Sequence, residues 1–128
     1  MIGDLSDVGP MVELAALLAE HDGVEAVASA QRIATWGRAH LAAADGGWFD
    51  RTDDSGAAGL VRERYRDAEL NARLAEGLAA LASVAHDAAL AREVDSLAAV
   101  FGGGARRPDP VGSRFARARA RIASVPGH

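Results

Sequence analysis

"LAALLAEHDGVEAVASAQRIATW", residues 14–36, decides the fold because the chain repeats it. This stretch aligns with "LAALASVAHDAALAREVDSLAAVF", residues 78–101, after one extra residue before the turn. Each turn carries a His-Asp pair, and His21 and His86 stand 65 positions apart. A repeated helix-turn-helix unit predicts antiparallel hairpins that stack side by side, because such units bury their apolar faces only against further hairpins.

Apolar spacing and helix-ending residues predict five helices in all. Paired glycines at 46–47 and the glycine run at 102–104 are expected to end helices, since glycine is costly to hold in a helix. The apolar residues of the first helix recur at three- and four-residue intervals and so share one face: Met11, Leu14, Leu17 and Leu18. The predicted helices run from a cap at Ser6 or Asp7 to the turn at 21–23, and then over 24–41, 67–83, 87–101 and 113–124.

Between the second and third helices lies "DGGWFD", residues 45–50, where two large aromatic residues stand among glycines and acids. Trp48 and Phe49 favour a strand, and so does the pair at 60–61 beyond the polar loop 51–59. Two short β-favouring runs around a turn-rich loop predict one short β-hairpin. The predicted fold class is therefore all-α, with stacked antiparallel helical hairpins and this single β-hairpin.

The composition supports close-packed helices. Of the 128 residues 49% are apolar, yet only six are aromatic and alanine dominates. Alanine is the strongest helix former and buries little area. The absence of cysteine excludes a disulfide framework, a thiolate metal site and a cysteine nucleophile. The sequence has neither a membrane-spanning apolar run nor the basic start of a signal peptide, so we expect a cytoplasmic protein without a membrane partner.

The net charge of −4 hides an uneven distribution. Residues 104–128 hold six arginines and one acid, a net of +5, which leaves −9 on residues 1–103. A basic tail on an acidic body predicts that the tail docks on the body rather than on nucleic acid. We therefore divide the chain into a helical-hairpin domain over 1–104 and a linker with a basic amphipathic helix over 105–128. That helix has an apolar side, Phe115, Ala118, Ile122 and Val125, and a basic side, Arg114, Arg117 and Arg121.

Several segments resemble, in the same order, those of a known superfamily. "LSDVGPMVELAALLAEHDG", a second helix, "DGGWFD", an acidic loop and "LVRERYRDAELNARLAEGLAALA" are similar to the C-terminal part of the α/α-toroid proteins, the six-hairpin glycosidase and N-acylglucosamine 2-epimerase superfamily. Within that superfamily the chain most resembles thioredoxin-domain-containing proteins of the spermatogenesis-associated type. The resemblance covers roughly residues 4–101.

The resemblance implies a site at the ends of the hairpins. Asp50 matches the acid that closes a GGF(F/Y)D-like segment in those proteins, while Asp67, Glu69 and Asn71 match a D-x-A-E-P-S-G-N-S-like segment, without its Ser-Gly. This chain carries no thioredoxin-like segment and too few helices to close a toroid. The resemblance therefore implies a partial α/α toroid, as a truncated or split product or a degenerate relative. The candidate substrate-binding residues, all within "DGGWFD" and "LVRERYRDAELN", are Trp48, Phe49, Asp50, Tyr65, Asp67, Glu69 and Asn71.

Each kind of candidate has a structural alternative. Trp48 and Phe49 can stack on a sugar ring, as the resemblance implies, or one ring can pack inward while the other caps the helix ends. Acids such as Asp50, Asp53 and Asp67 can form a carboxylate pair for chemistry at a glycosidic bond, or they can serve as solvated caps. No histidine pair has the four-residue spacing of a zinc helix, and the sequence assigns no catalytic residue, metal ion or cofactor.

Two functions are compatible with this pattern. The first is a non-catalytic helical-hairpin domain that forms a homo-oligomer or binds a protein partner, because a piece of a toroid leaves apolar helix faces uncovered. The alternative is a carbohydrate-active module, similar to an epimerase or a glycosidase, whose cleft is completed by other hairpins or subunits. A site around a sugar needs groups from several hairpins at once, so the first function is favoured and the chain alone is not expected to be an enzyme.

Overall fold

The computed structural model describes residues 4–51, 66–102 and 110–128. Within these ranges the chain forms five helices that pack against each other, and it forms no sheet. The predicted all-α class is confirmed. The helices are α1 (Leu5–Asp22), α2 (Val24–Leu41), α3 (Ala68–Ala85), α4 (Ala88–Gly102) and α5 (Pro110–Ile122).

Helices α3 and α4 begin at the capping residues that the sequence carries. Asp67 caps α3, where its Oδ1 accepts the backbone N–H of Leu70 at 2.8 Å. Asp87 caps α4 in the same way, because its Oδ1 accepts the N–H groups of Ala89 and Leu90 at 2.9 and 3.2 Å. These side-chain oxygens satisfy donors that have no partner within the helix, and so they fix where each helix starts.

Helices α1 and α5 begin earlier than predicted. α1 starts at Leu5 and carries Pro10 in its interior. Pro10 is exposed, so water can reach the carbonyl that its missing N–H leaves free. α5 starts at Pro110 instead of Ser113, since the fixed φ of proline suits the first helical position.

α3 lies at the centre of the fold. Helices α1, α3 and α5 form one row of neighbours, with α2 packed on α1 and α3, and α4 packed on α3 and α5. The hairpins α1/α2 and α3/α4 therefore stack side by side, as the repeat predicts, and α5 extends the row. Ten residues of α3 are buried, among them Leu74, Leu78 and Leu81, because neighbouring helices cover it on several sides.

α1 and α3 approach closely where two glycines face each other. A Cβ atom placed on Gly77 would lie 2.7 Å from the carbonyl oxygen of Gly9 and 3.2 Å from the backbone nitrogen of Glu13. A Cβ atom on Gly9 would lie 3.2 Å from the backbone nitrogen of Leu74. The absence of side chains at both positions lets the two backbones touch, so α1 and α3 pack more tightly than larger residues would allow.

α5 packs on the rest of the molecule through both of its sides. Phe115 and Ile122 are buried in the same core as α3. On the basic side, Arg114 and Arg117 donate to the two carboxylate oxygens of Glu76 in α3, at 3.4 and 3.0 Å. The predicted docking of the basic tail on the acidic body is observed at these contacts.

Glu76→Gln is expected to loosen α5. The Glu76 side chain is only 18% exposed and two arginines share it, so losing its charge leaves both guanidinium groups without a counter-ion. We expect the free energy of unfolding in urea to fall by roughly 1 kcal/mol, and by less in high salt. Glu69→Gln is the matched control, because Glu69 is 60% exposed and its change should stay within about 0.3 kcal/mol. Equal losses for the two variants would contradict the docking role.

The predicted β-hairpin is not observed. Its first arm, 48–50, forms no strand, and Trp48 and Arg51 make only isolated antiparallel bridges. Its second arm, 60–61, lies outside the described residues. The N–H of Phe49 donates to the carbonyl of the last residue of α2 at 2.6 Å. Because the end of α2 accepts this N–H, Phe49 cannot donate it to a neighbouring strand.

Candidate functional site

Three of the predicted site residues, Trp48, Asp67 and Asn71, meet at the end of the α1/α2 hairpin, around one buried polar side chain. Asn71, in the first turn of α3, is fully buried. Its Oδ1 accepts the N–H of Trp48 at 2.8 Å, and its Nδ2 donates to the carbonyls of Trp48 and Asp67 at 2.9 and 2.8 Å. Asn71 thus uses both polar atoms to fix the loop to α3, at a place where no solvent can take over those bonds.

Trp48 closes the end of the hairpin. Its side chain is 2% exposed, and its ring lies so close to Gly37 of α2 that a Cβ atom there would collide with it. Gly46 and Gly47 precede it with φ of 107° and 72°, values that residues with side chains rarely adopt. A Cβ atom on Gly47 would also meet the ring of Phe101 at 2.7 Å. These contacts place the indole in the core and support a structural role for it.

The other candidates lie at the surface or in backbone contacts. Phe49 and Asp50 are half-buried, and the carbonyl of Asp50 accepts the first N–H of α1 at 2.8 Å. Asp67 is exposed and caps α3. Glu69 is exposed and pairs with an arginine one turn further along α3. Tyr65 lies outside the described residues, so its place relative to the others stays a prediction.

Hydrogen bonds join three of the described candidates, namely Trp48, Asp67 and Asn71. The two bonds between Asn71 and Trp48 hold the loop to α3, and the third joins Asn71 to the cap of its own helix. Among the described residues no three His, Asp or Glu side chains lie close enough together to hold a metal ion. A shallow groove of about 480 Å³ lies elsewhere, on the outer face of α2, and is lined by Ala28, Gln31, Arg32, Thr35 and Trp36.

A second surface lies on α1, the helix at the end of the row. Leu14 is 58% exposed, Met11 41% and Leu17 42%. Their spacing of three residues places them on one face, and we call Met11, Leu14 and Leu17 the α1 edge. Three of the four residues of the predicted apolar face therefore point outward, and the side chain of the fourth, Leu18, lies outside the described residues. The face of α1 that packs on α2 and α3 holds Leu5, Val8 and Val12 instead.

The repeat shows what covers the equivalent residues in the second hairpin. Leu14 and Leu17 align with Leu78 and Leu81, and those two side chains are fully buried in α3. Among the described helices, α3 contacts α1, α2, α4 and α5, whereas α1 contacts only α2 and α3. Leu78 and Leu81 are therefore covered by neighbouring helices in the second copy, whereas Leu14 and Leu17 are exposed in the first.

α2 carries an aromatic pair on one flank. The rings of Trp36 and His40 stack with their centroids 4.6 Å apart, and His40 Nδ1 donates to the carbonyl of Trp36 at 2.8 Å. At roughly 100° per residue this flank, which also holds the half-buried Ile33, points away from Arg38, the residue that reaches α4. The flank therefore lies at the same free end of the fold as the α1 edge.

On its opposite flank α2 is held to α4 by an ion pair. Arg38 Nη2 and Nε donate to the two carboxylate oxygens of Glu93 at 2.6 and 3.0 Å. The hydrogen bonds that Arg38 donates to Glu93 raise the pKa of its guanidinium, against the opposing effect of burial. This bidentate pair links two helices whose backbones are not neighbours. One flank of α2 is therefore held to α4, and the flank with Trp36 and His40 faces the free end of the fold.

The sequence and the fold were compared with known proteins. No protein-family model, no curated protein and no solved structure matches the chain. No helix in the described ranges is both long and apolar enough to cross a membrane. The resemblance to the α/α-toroid proteins stays a prediction that these comparisons leave open.

Proposed function

We propose that this chain is a non-catalytic helical-hairpin domain that acts by self-association through the α1 edge. The observation that carries the proposal is the difference between the two copies of the repeat. Leu78 and Leu81 are buried beneath neighbouring helices, while Leu14 and Leu17 are 58% and 42% exposed. An apolar stripe on the end helix of a stacked row is the kind of surface that one more helix covers.

The exposed area supports a reversible association. Full burial of a leucine or methionine side chain contributes roughly 1.5–3 kcal/mol, and about half of each side chain of the α1 edge is still exposed. Association also costs translational and rotational freedom. We therefore expect an equilibrium that depends on protein concentration rather than a permanent complex.

The hairpin end gives less support to the carbohydrate alternative. Stacking on a sugar ring needs an open aromatic face, and the Trp48 side chain is 2% exposed. Asn71 already uses its polar atoms on backbone groups. These contacts favour structural roles for both residues, and the non-catalytic domain is therefore the proposal.

Leu14→Glu is expected to weaken self-association on the order of 100-fold or more, because an unpaired carboxylate pressed against apolar side chains costs several kcal/mol. Sedimentation velocity over a range of concentrations measures this. The fold should survive, since Leu14 faces solvent in the single chain, and melting followed by circular dichroism checks it. Ala99→Glu on the exposed side of α4 adds the same charge and should leave association unchanged. A wild-type protein that stays monomeric at every concentration would refute the proposal.

A further inference from the structure

We infer that the partner of the α1 edge is the α1 edge of a second copy, in an antiparallel and closed two-fold pair with Leu14 at the axis. This inference rests on the proposed function and adds the geometry of the complex to it. Two-fold pairs of this kind use the same surface on both chains. In an antiparallel pair, the α1 edge of one copy must therefore fit the same edge of the second copy running in the opposite direction.

The α1 edge meets that condition. Met11, Leu14 and Leu17 are evenly spaced, with about 4.5 Å of helix rise between neighbours. Reversing the stripe about Leu14 returns the same pattern of large apolar side chains. An antiparallel pair therefore places Leu14 on Leu14 of the second copy, and Met11 on its Leu17. No charged residue lies at the centre of this contact.

The charge at the start of α1 selects the antiparallel direction. Asp7 lies seven residues before Leu14, two turns earlier on the same exposed face. In a parallel pair the two Asp7 carboxylates would face each other, and like charges in that position repel. In the antiparallel pair they lie at opposite ends, roughly 20 Å apart along the helix axis. The macrodipoles of the two helices are also opposed in that arrangement.

The other end of the row is a poor partner for the α1 edge. The exposed residues of α5 include Arg117 and Arg119, which pair with Glu76 and Asp95 of their own chain at 3.0 and 3.2 Å. Head-to-tail stacking would press leucines against these guanidinium groups and remove water from them. Such stacking would also leave an open end on every complex. The charge distribution therefore favours a closed pair over a growing chain of molecules.

The flank of α2 enlarges the contact. A stable interface buries about 800 Å² on each partner, and one face of an 18-residue helix supplies only part of that area. Ile33 and Trp36 are half-buried in the single chain and lie at the same free end of the fold. An antiparallel pair brings each α2 flank towards the end of the other α1, so part of Trp36 becomes buried on association.

Introduced cysteines test the geometry, because the chain has none of its own. Under mild oxidation by oxidised glutathione, Leu14→Cys should form a disulfide-linked dimer, since facing helices at 8–10 Å bring the two Cα atoms within disulfide range. Met11→Cys and Leu17→Cys should each cross-link slowly alone and rapidly when the two variants are mixed. The reason is that identical positions lie about 9 Å apart along the axis whereas the mixed pair is opposed. Non-reducing gel electrophoresis measures the yields.

Two outcomes would overturn the inference while leaving the proposed function intact. Rapid cross-linking of Met11→Cys with itself would show a parallel pair. Rapid cross-linking of Leu14→Cys with Ala120→Cys on the exposed face of α5, together with species that grow beyond two chains, would show head-to-tail stacking. Absence of any association in the wild-type protein would instead refute the proposed function, so the two failures are distinguishable by sedimentation velocity.

Discussion

Asn71→Asp is expected to lower the free energy of unfolding by on the order of 3 kcal/mol or more. The Asn71 amide is fully buried and donates from Nδ2 to the carbonyls of Trp48 and Asp67. A carboxylate cannot donate, so its oxygen would face two carbonyl oxygens with no water between them. A domain of this size has roughly 5–15 kcal/mol of stability in total, and urea unfolding followed by circular dichroism should show a large shift of the midpoint.

Asp67→Asn is the matched control for this prediction. It makes the reverse exchange of the same two residue types in the same turn of the chain, and asparagine caps a helix about as well as aspartate does. Because Asp67 is exposed and accepts the N–H of Leu70 through its side chain, we expect a change below about 0.5 kcal/mol. If Asn71→Asp were as mild as Asp67→Asn, the buried hydrogen bonds would not be what holds the loop to α3.

Local signals predicted the helices because each boundary depends on a few neighbouring residues. The observed range of α2 coincides with the predicted range 24–41. The predicted starts at 67 and 87 coincide with the observed capping residues of α3 and α4, Asp67 and Asp87. The early starts of α1 and α5 were missed because each involves a proline. A helix tolerates proline at an exposed position, such as that of Pro10, and at its first position, such as that of Pro110.

The arrangement at "DGGWFD" could not be predicted from local pattern. Trp48 and Phe49 favour strands, but no strand forms in the described part of this loop. The backbone of Trp48 bonds instead to the side chain of Asn71, 23 positions further along the chain. A tertiary hydrogen bond of this kind overrides strand propensity and leaves no mark in the residues around it.

The outward direction of the α1 edge depends on the number of neighbours rather than on the helix itself. α1 carries two apolar faces, one with Leu5 and Val8 and one with Leu14 and Leu17. A helix that is apolar on two sides is typical of one with neighbours on both sides. That pattern indicates a second apolar surface on α1. It could not tell which face meets α3 and which stays open within one chain.

Gly77→Leu is expected to lower the free energy of unfolding by about 3 kcal/mol or more, because it forces α1 away from α3. Even the first added carbon would lie 2.7 Å from the carbonyl oxygen of Gly9. The clashing atoms belong to the backbone of α1, which cannot swing aside as the end of a long side chain can. Relief therefore requires separating α1 from α3, the central helix of the row.

Two opposing effects decide whether Gly77→Ala raises or lowers the free energy of unfolding. Alanine favours a helix over glycine by about 1 kcal/mol, while overpacking at a tight crossing costs typically 1–3 kcal/mol. We expect a net loss that is smaller than that of Gly77→Leu. Arg73→Leu adds the same leucine on the exposed side of α3 and should change stability by less than about 0.5 kcal/mol. A Gly77→Leu protein as stable as Arg73→Leu would mean that α1 and α3 do not touch at these glycines.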